Sequence, residues 1–207
     1  MSDDIPPGYE VYEPTWEETF LLDVGVVLLW ALATVSLLAA VFALVMRLAP
    51  AMSNLWLGPS VLGIIGVTAI LHEGVHAGVG WLLGYHVSAG IDTRGWGIAP
   101  YVVAAGAYRT RREEIAVTLA PLVVLDLCML GVIAIAGLFS LPGLVAAVAL
   151  CFNTAGSTRG GDSDLGNAYR VSRLSPQAKI KDEPHQQRIY IRPKTPHKSR
   201  PSDHITQ

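Results

Sequence analysis

Charge and cysteine are both scarce in this chain. Of its 207 residues, 15% are Asp, Glu, Lys or Arg and only two are cysteine. Cys128 and Cys151 each sit inside an apolar run, which excludes a disulfide framework and a thiolate metal site and leaves buried small hydrophobes. The formal net charge of −2 argues neither for nor against a nucleic-acid partner. The segment ahead of the first long apolar run carries Asp3, Asp4, Glu10, Glu13, Glu17 and Glu18 but no Lys or Arg. No small-residue cleavage site follows that run at Met46-Arg47. Both lacks argue against a signal peptide and for a retained anchor.

What the chain has instead is apolar sequence. Hydrophobic residues make up 51% of it and mean hydropathy is +0.41, too apolar for an ordinary soluble domain of this size. Residues 24–46 are apolar apart from Thr34 and Ser36. At ~1.5 Å per residue they reach about 35 Å, enough to cross a bilayer with some tilt. Residues 61–83 and 114–139 read as further spans, and residues 144–154 as the apolar part of a fourth. Residues 48–59, with Pro50, Asn54, Gly58 and Pro59, form a turn with Trp56 near the interface. Residues 85–112 do not span. Gly90, Gly95 and Gly97 with the β-leaning Tyr101-Val102-Val103 predict a short hairpin or re-entrant strand there. The expectation is an all-α polytopic membrane protein of about four transmembrane helices, with an irregular or β segment between the second and third. Residues 1–18 form an acidic leader, 19–174 the membrane domain, and 175–207 a polar, Pro-rich, basic tail expected to be disordered.

Arginine and lysine set the orientation. Arg94, Arg109, Arg111 and Arg112 fall between the second and third spans, and most other basic residues fall in the tail. The turn at Leu141 has none, and the first turn has only Arg47. Four spans in the cell membrane with both termini cytoplasmic satisfy this distribution. His72 and His76 then lie in the cytoplasmic half of the second span.

Residues 72–76 read His-Glu-Gly-Val-His. Positions i and i+4 of a helix lie about 40° apart around the axis, so both imidazoles face one way. Two neutral imidazoles at this spacing can hold one zinc ion. Glu73, at the edge of the same face, reaches a water on that ion and acts as general base, then returns the proton to the leaving amine. An ionisable residue inside a span costs about 2.5–3.5 kcal/mol, so three within five residues call for a function rather than chance. A third ligand must come from elsewhere. Asp126 lies in the third span, and Asp162 and Asp164 lie just past the fourth. The residues alone do not choose among them, though a carboxylate at the cytoplasmic end of the fourth helix matches the depth of the histidines.

The motif resembles that of the site-2-protease type of intramembrane zinc metalloprotease. More closely, the chain resembles the small membrane family of putative zincin peptidases over about residues 60 to 175. The resemblance rests on Leu71-His-Glu-Gly-Val-His-Ala, on Leu119-Ala-Pro-Leu, and on Asn153 followed by Gly156-Ser157 and then an Asp-Leu pair. It implies an aspartate after the last core helix as third ligand. Asp164-Leu165, with Ala168-Tyr169-Arg170 and Arg173-Leu174 behind it, is similar to the family's stretch, and Asp162 fits its Gly-Asp pair. Asp164 is favoured over Asp162, and both over Asp126. The Asn-x-x-Pro-x-x-x-Leu-Asp-Gly pattern of better-known site-2 proteases is missing. Asn153 takes on their asparagine's role as a substrate or oxyanion contact, or else is a packing or capping amide.

Other residues have blander readings. Asp126 either supports a zinc-bound imidazole from behind or joins two helices by a hydrogen bond to Ser or Thr. The pairs Gly74/Gly78 and Gly80/Gly84 allow close helix packing. His86 is an interfacial histidine. Arg109, Arg111 and Arg112 anchor the third span at the anionic membrane face. The tail's cations are scattered among acids and prolines, with Tyr190 as its single aromatic, so no nucleic-acid partner is expected. The expected function is hydrolysis of peptide bonds in or near the spans of membrane-protein substrates, with Zn2+ as cofactor. The alternative is a non-catalytic metal-binding scaffold or transport subunit. A structural membrane anchor whose tail binds a partner is a third reading.

Overall fold

The computed structural model describes residues 5–13, 16–50, 54–92, 99–104, 107–158, 163–183 and 186–193. Among these, five helices and six strands follow in the order β1 (Glu10–Val11), α1 (Trp16–Leu48), α2 (Asn54–Leu82), β2 (Val87–Asp92), β3 (Ala99–Ala104), β4 (Tyr108–Thr110), α3 (Arg111–Ala136), α4 (Leu141–Ser157), α5 (Asp164–Ser172), β5 (Lys179–Glu183) and β6 (Gln186–Ile191).

Three helices are long and apolar enough to cross a membrane, over Val24–Leu48, Gly58–Leu82 and Arg111–Ala136. Their outward faces carry large hydrophobes in the open, among them Leu28, Leu32, Phe42, Ile70, Trp81, Leu127 and Ile135. Water would not tolerate so continuous an apolar girdle, whereas lipid does. The helix expected as a fourth span, α4, has 17 residues, about 25 Å at ~1.5 Å per residue. It is also the most buried helix. Gly143, Leu144, Ala146, Ala147, Val148, Ala149, Asn153, Ala155 and Ser157 are all enclosed. Small residues along α4 let α1 and α3 close on it from two sides. Leu44 of α1 meets Leu144 and Val148 of α4 in one core cluster.

Local signals set the helix ends. Thr110 begins α3 with a reciprocal cap: its side chain accepts from the Glu113 amide, and Glu113 accepts from the Thr110 amide. Ser140 and Ser163 cap α4 and α5 by the simpler one-way bond, accepting from the Gly143 and Gly166 amides. Gly84 closes α2 with φ of +85°, a left-handed conformation in which a side chain would be strained. Just beyond it, Tyr85 hydrogen-bonds Glu113 across to α3. Burial and the Glu113 carboxylate push its hydroxyl up to about 12.

Two small sheets lie at the end of the bundle where α2 stops and α3 starts. β2 and β3 pair antiparallel, from Val87 opposite Ala104 to Asp92 opposite Ala99. Gly90 faces Tyr101 directly, and a side chain there would collide with the tyrosine ring. The other sheet runs β1-β6-β5-β4, with every neighbouring pair antiparallel. It corrects the expectation at both chain ends. Lys179–Glu183 and Gln186–Ile191 of the expected disordered tail pair as antiparallel strands, and Glu10–Val11 of the leader add a strand to their edge. Trp16, Glu17 and Glu18 of that leader already belong to α1. The physical reason is a small core that exists only once the chain has folded back. Ile180 and Ile189, directly paired, pack on Val171, Leu174 and Ala178, with Tyr12, Ile115 and Ile191 around them.

Ile180 is fully enclosed. The substitution Ile180→Ala should cost the strand pair about 2–5 kcal/mol. Amide exchange across β5 and β6 should quicken in detergent, and exchange as slow as in the wild type would show that this core does not hold the pair.

Candidate metal centre

His72 and His76 project from α2 toward α3, α4 and the start of α5. Their rings meet edge to face, with centroids 4.8 Å apart, and their Nε2 atoms are 3.2 Å apart. Asp164, the first residue of α5, closes the cluster. Its carboxylate oxygens lie 3.1 Å from His72 Nε2 and 3.4 Å from His76 Nε2. Burial works to raise the Asp164 carboxyl, and the two imidazoles outweigh it, holding the group well below the usual carboxylate range. Ser157, at the end of α4, donates its hydroxyl to the same carboxylate at 3.0 Å. The Glu73 carboxylate lies within 4.8 Å of the histidine ring nitrogens and accepts a hydrogen bond from the Val102 amide on β3.

The tautomers follow from the partners. His76 Nδ1 lies 2.9 Å from the Val117 carbonyl on α3. A carbonyl can only accept, so Nδ1 carries a proton and Nε2 is the nitrogen that a cation could take. His72 Nδ1 lies 2.8 Å from Asn153 Oδ1, and the same argument holds once the amide's orientation is settled. Asn153 Nδ2 donates to Asp126 Oδ1 at 2.9 Å and to the Pro121 carbonyl at 3.2 Å. Both of those are acceptors, so the amide cannot be turned the other way. Two imidazole nitrogens and a carboxylate therefore converge on one point. Such a cluster demands positive charge at its centre, and a divalent cation suits this nitrogen and oxygen donor set.

Asn153 had two readings, a substrate or oxyanion contact and a packing amide. Here both of its amide hydrogens are engaged by Asp126 and the Pro121 carbonyl, and its oxygen meets His72. Asp126 is the outer end of the same chain and also accepts from Thr154 at 3.1 Å. It is thus two hydrogen bonds away from His72 rather than in contact with it. Asp162 lies outside the described residues. His86 is not part of the cluster.

A cavity of about 220 Å³ opens beside the cluster, lined by Glu73, His76, Asp164, Tyr101, Arg109 and Glu114 among others. Sequence reasoning missed Glu114. It is 1% exposed and binds four elements together. Its Oε2 pairs with Arg109 Nε of β4 at 2.9 Å. Its Oε1 accepts from Thr118 of α3, Asn167 of α5 and Gln187 of β6 at 3.1, 2.9 and 2.7 Å. Arg109 therefore does not anchor at a membrane face, as expected, but neutralises a buried acid. Arg111 also turns toward the end of α5, donating to the Leu174 carbonyl just past the helix at 2.7 Å and to the Ser172 carbonyl at 3.4 Å. The one clue in the sequence was an acid at the edge of an apolar run. Nothing marked Gln187 or the Val117 carbonyl.

Residues 65–162, a little under half of the chain, match the family described as putative zincin peptidases. The matched stretch holds His72, Glu73, His76, Val117, Asp126 and Asn153, and it stops two residues before Asp164. No curated protein and no solved structure matches the chain.

Replacing Asn153 by Ala removes the acceptor for His72 Nδ1 and leaves Asp126 without its amide. Affinity for zinc should fall about 10- to 100-fold, measured by chelator competition on the detergent-purified chain. Affinity equal to the wild type would remove Asn153 from the support of the centre.

Proposed function

We propose that this protein is a membrane-embedded zinc metallopeptidase that hydrolyses peptide bonds in or near the membrane spans of protein substrates. The observation that carries this reading is the convergence of His72 Nε2, His76 Nε2 and the Asp164 carboxylate, with the Glu73 carboxylate beside them. His72, His76 and Asp164 would hold the ion, and three protein ligands leave room for water and substrate. When bound, zinc would acidify a water and polarise the scissile carbonyl. Glu73 sits next to the first ligand and is not needed as one, so its carboxylate takes the water's proton and passes it to the departing amine. The Val102 amide fixes that carboxylate from the strand side. Asn153 and the Val117 carbonyl keep the imidazole protons away from the centre.

The depth of the site supports a substrate within the bilayer. His76 lies six residues before the end of the span at Leu82, about 9 Å below it at ~1.5 Å per residue. Arg109, Glu114, Asn167 and Gln187 line the cavity, a polar path by which water can reach a site otherwise walled by helices. A helical substrate has its carbonyls hydrogen-bonded within itself, so the scissile segment must unwind to offer one. Four crossings of the cell membrane, with both termini cytoplasmic, put α2's last turns, α3's start and both sheets on the cytoplasmic side. Arg112, Lys179, Lys181 and Arg188 all belong to that end, as an anionic inner leaflet favours.

The test is Glu73→Gln, compared with the wild type on a panel of single-span reporter proteins reconstituted with the enzyme. The variant should retain zinc and lose about 100- to 10,000-fold in cleavage rate. Cleavage that survives the substitution would overturn the mechanism. Zinc bound by both forms, with no cleavage of any reporter by either, would leave a non-catalytic metal-binding scaffold.

A further inference from the structure

α3 carries a proline in its interior, and that proline is completely enclosed. Pro121 has no N–H, so the carbonyl four residues back, that of Val117, lacks its helical partner. The pyrrolidine ring also presses that carbonyl away from the helix axis. Within a membrane a freed carbonyl needs a donor from a neighbouring helix. The donor here is His76 Nδ1, 2.9 Å away on α2. One turn further on, the carbonyl of Pro121 itself accepts from Asn153 Nδ2 at 3.2 Å, the amide whose oxygen meets His72 Nδ1. A single broken turn of α3 thus stands behind both histidines.

We propose that Pro121 is a positioning residue for the metal centre. By vacating the Val117 carbonyl it supplies the acceptor that holds His76 in its Nδ1–H tautomer, with Nε2 turned toward His72 and Asp164. The inference rests on the metal reading of the site. Any other residue at position 121 brings an N–H that competes for the same oxygen and draws it back to the helix axis. The carbonyl has two lone pairs, so the competition weakens the histidine contact rather than abolishing it. Pro121→Ala should therefore act against the usual trend. It removes a helix breaker and should leave the metal-free protein as stable or more so, yet it should bind the metal less well.

The experiment measures zinc affinity of the full detergent-purified chain by chelator competition, beside the thermal midpoint of the metal-free form. Pro121→Ala should lose about ten-fold in affinity without a fall in midpoint. Pro59→Ala, a proline about 20 Å along α2 from His72 at ~1.5 Å per residue, should keep the wild-type affinity. An unchanged affinity in Pro121→Ala, with zinc bound by the wild type, overturns the positioning role and leaves the metal reading standing. A wild type that binds no zinc overturns both. If Pro121→Ala does not fold, nitrogen-15 spectra of the zinc-loaded wild type decide the matter. They should show His76 protonated at Nδ1 with Nε2 on the metal, and Nδ1 on the metal would overturn the proposal.

Discussion

Two imidazole nitrogens face each other across 3.2 Å with a carboxylate closing the third side. That juxtaposition is unfavourable unless positive charge sits between them, and it persists only because every neighbouring group is arranged to hold it. The ring protons are the controlling detail. Each imidazole gives its Nδ1 proton to an acceptor on a different helix, Val117 on α3 and Asn153 on α4. Each Nε2 is thereby the nitrogen turned to the common point, where it can give a lone pair to a cation. The bundle's close packing follows from this requirement, since hydrogen bonds of 2.8 and 2.9 Å between helices allow no slack. The small residues of α4 give the approach its room.

A second constraint joins the bundle to the sheets. Glu114 and Arg109 form an almost fully buried ion pair. Burying two charges costs several kcal/mol per ion unless both are fully partnered. Thr118, Asn167 and Gln187 supply the remaining partners of the acid. The pair thus makes sense only when β4, α3, α5 and β6 are all in place. It specifies the arrangement more than it stabilises it. Its consequence for the site is direct, because Asn167 lies one helical turn after Asp164 on α5. The element that delivers the carboxylate to the histidines is the element that Glu114 holds.

The sequence carried much of this in local form. A stretch of about 25 apolar residues is a span wherever it occurs, and α1, α2 and α3 are legible on that ground. Histidines four apart share a helical face in any helix, so His72 and His76 could be paired without a structure. The pairing of β5 with β6 was not legible. Its strands are short and mixed with charge, and their apolar face, Ile180 with Ile189, has nothing to pack on until α5 is folded beneath it. The same applies to Glu10–Val11, whose partner lies almost the whole chain away at Tyr190 and Ile191.

Asn153 shows where reading residues one at a time gives out. Its amide could as well face a substrate as a neighbour, and only the positions of Asp126, Pro121 and His72 around it settle which. Sequence by itself determined the apolar spans, the i and i+4 geometry of the histidines and the base beside them. Each of these depends on residues within a turn or two of one another. Tertiary structure alone decided how Asp164 is brought against the histidines, which acceptors fix their Nδ1 protons, and that the C-terminal strands border the cavity. Those contacts join residues tens of positions apart, and their distances are set by how helices pack, which no local pattern encodes.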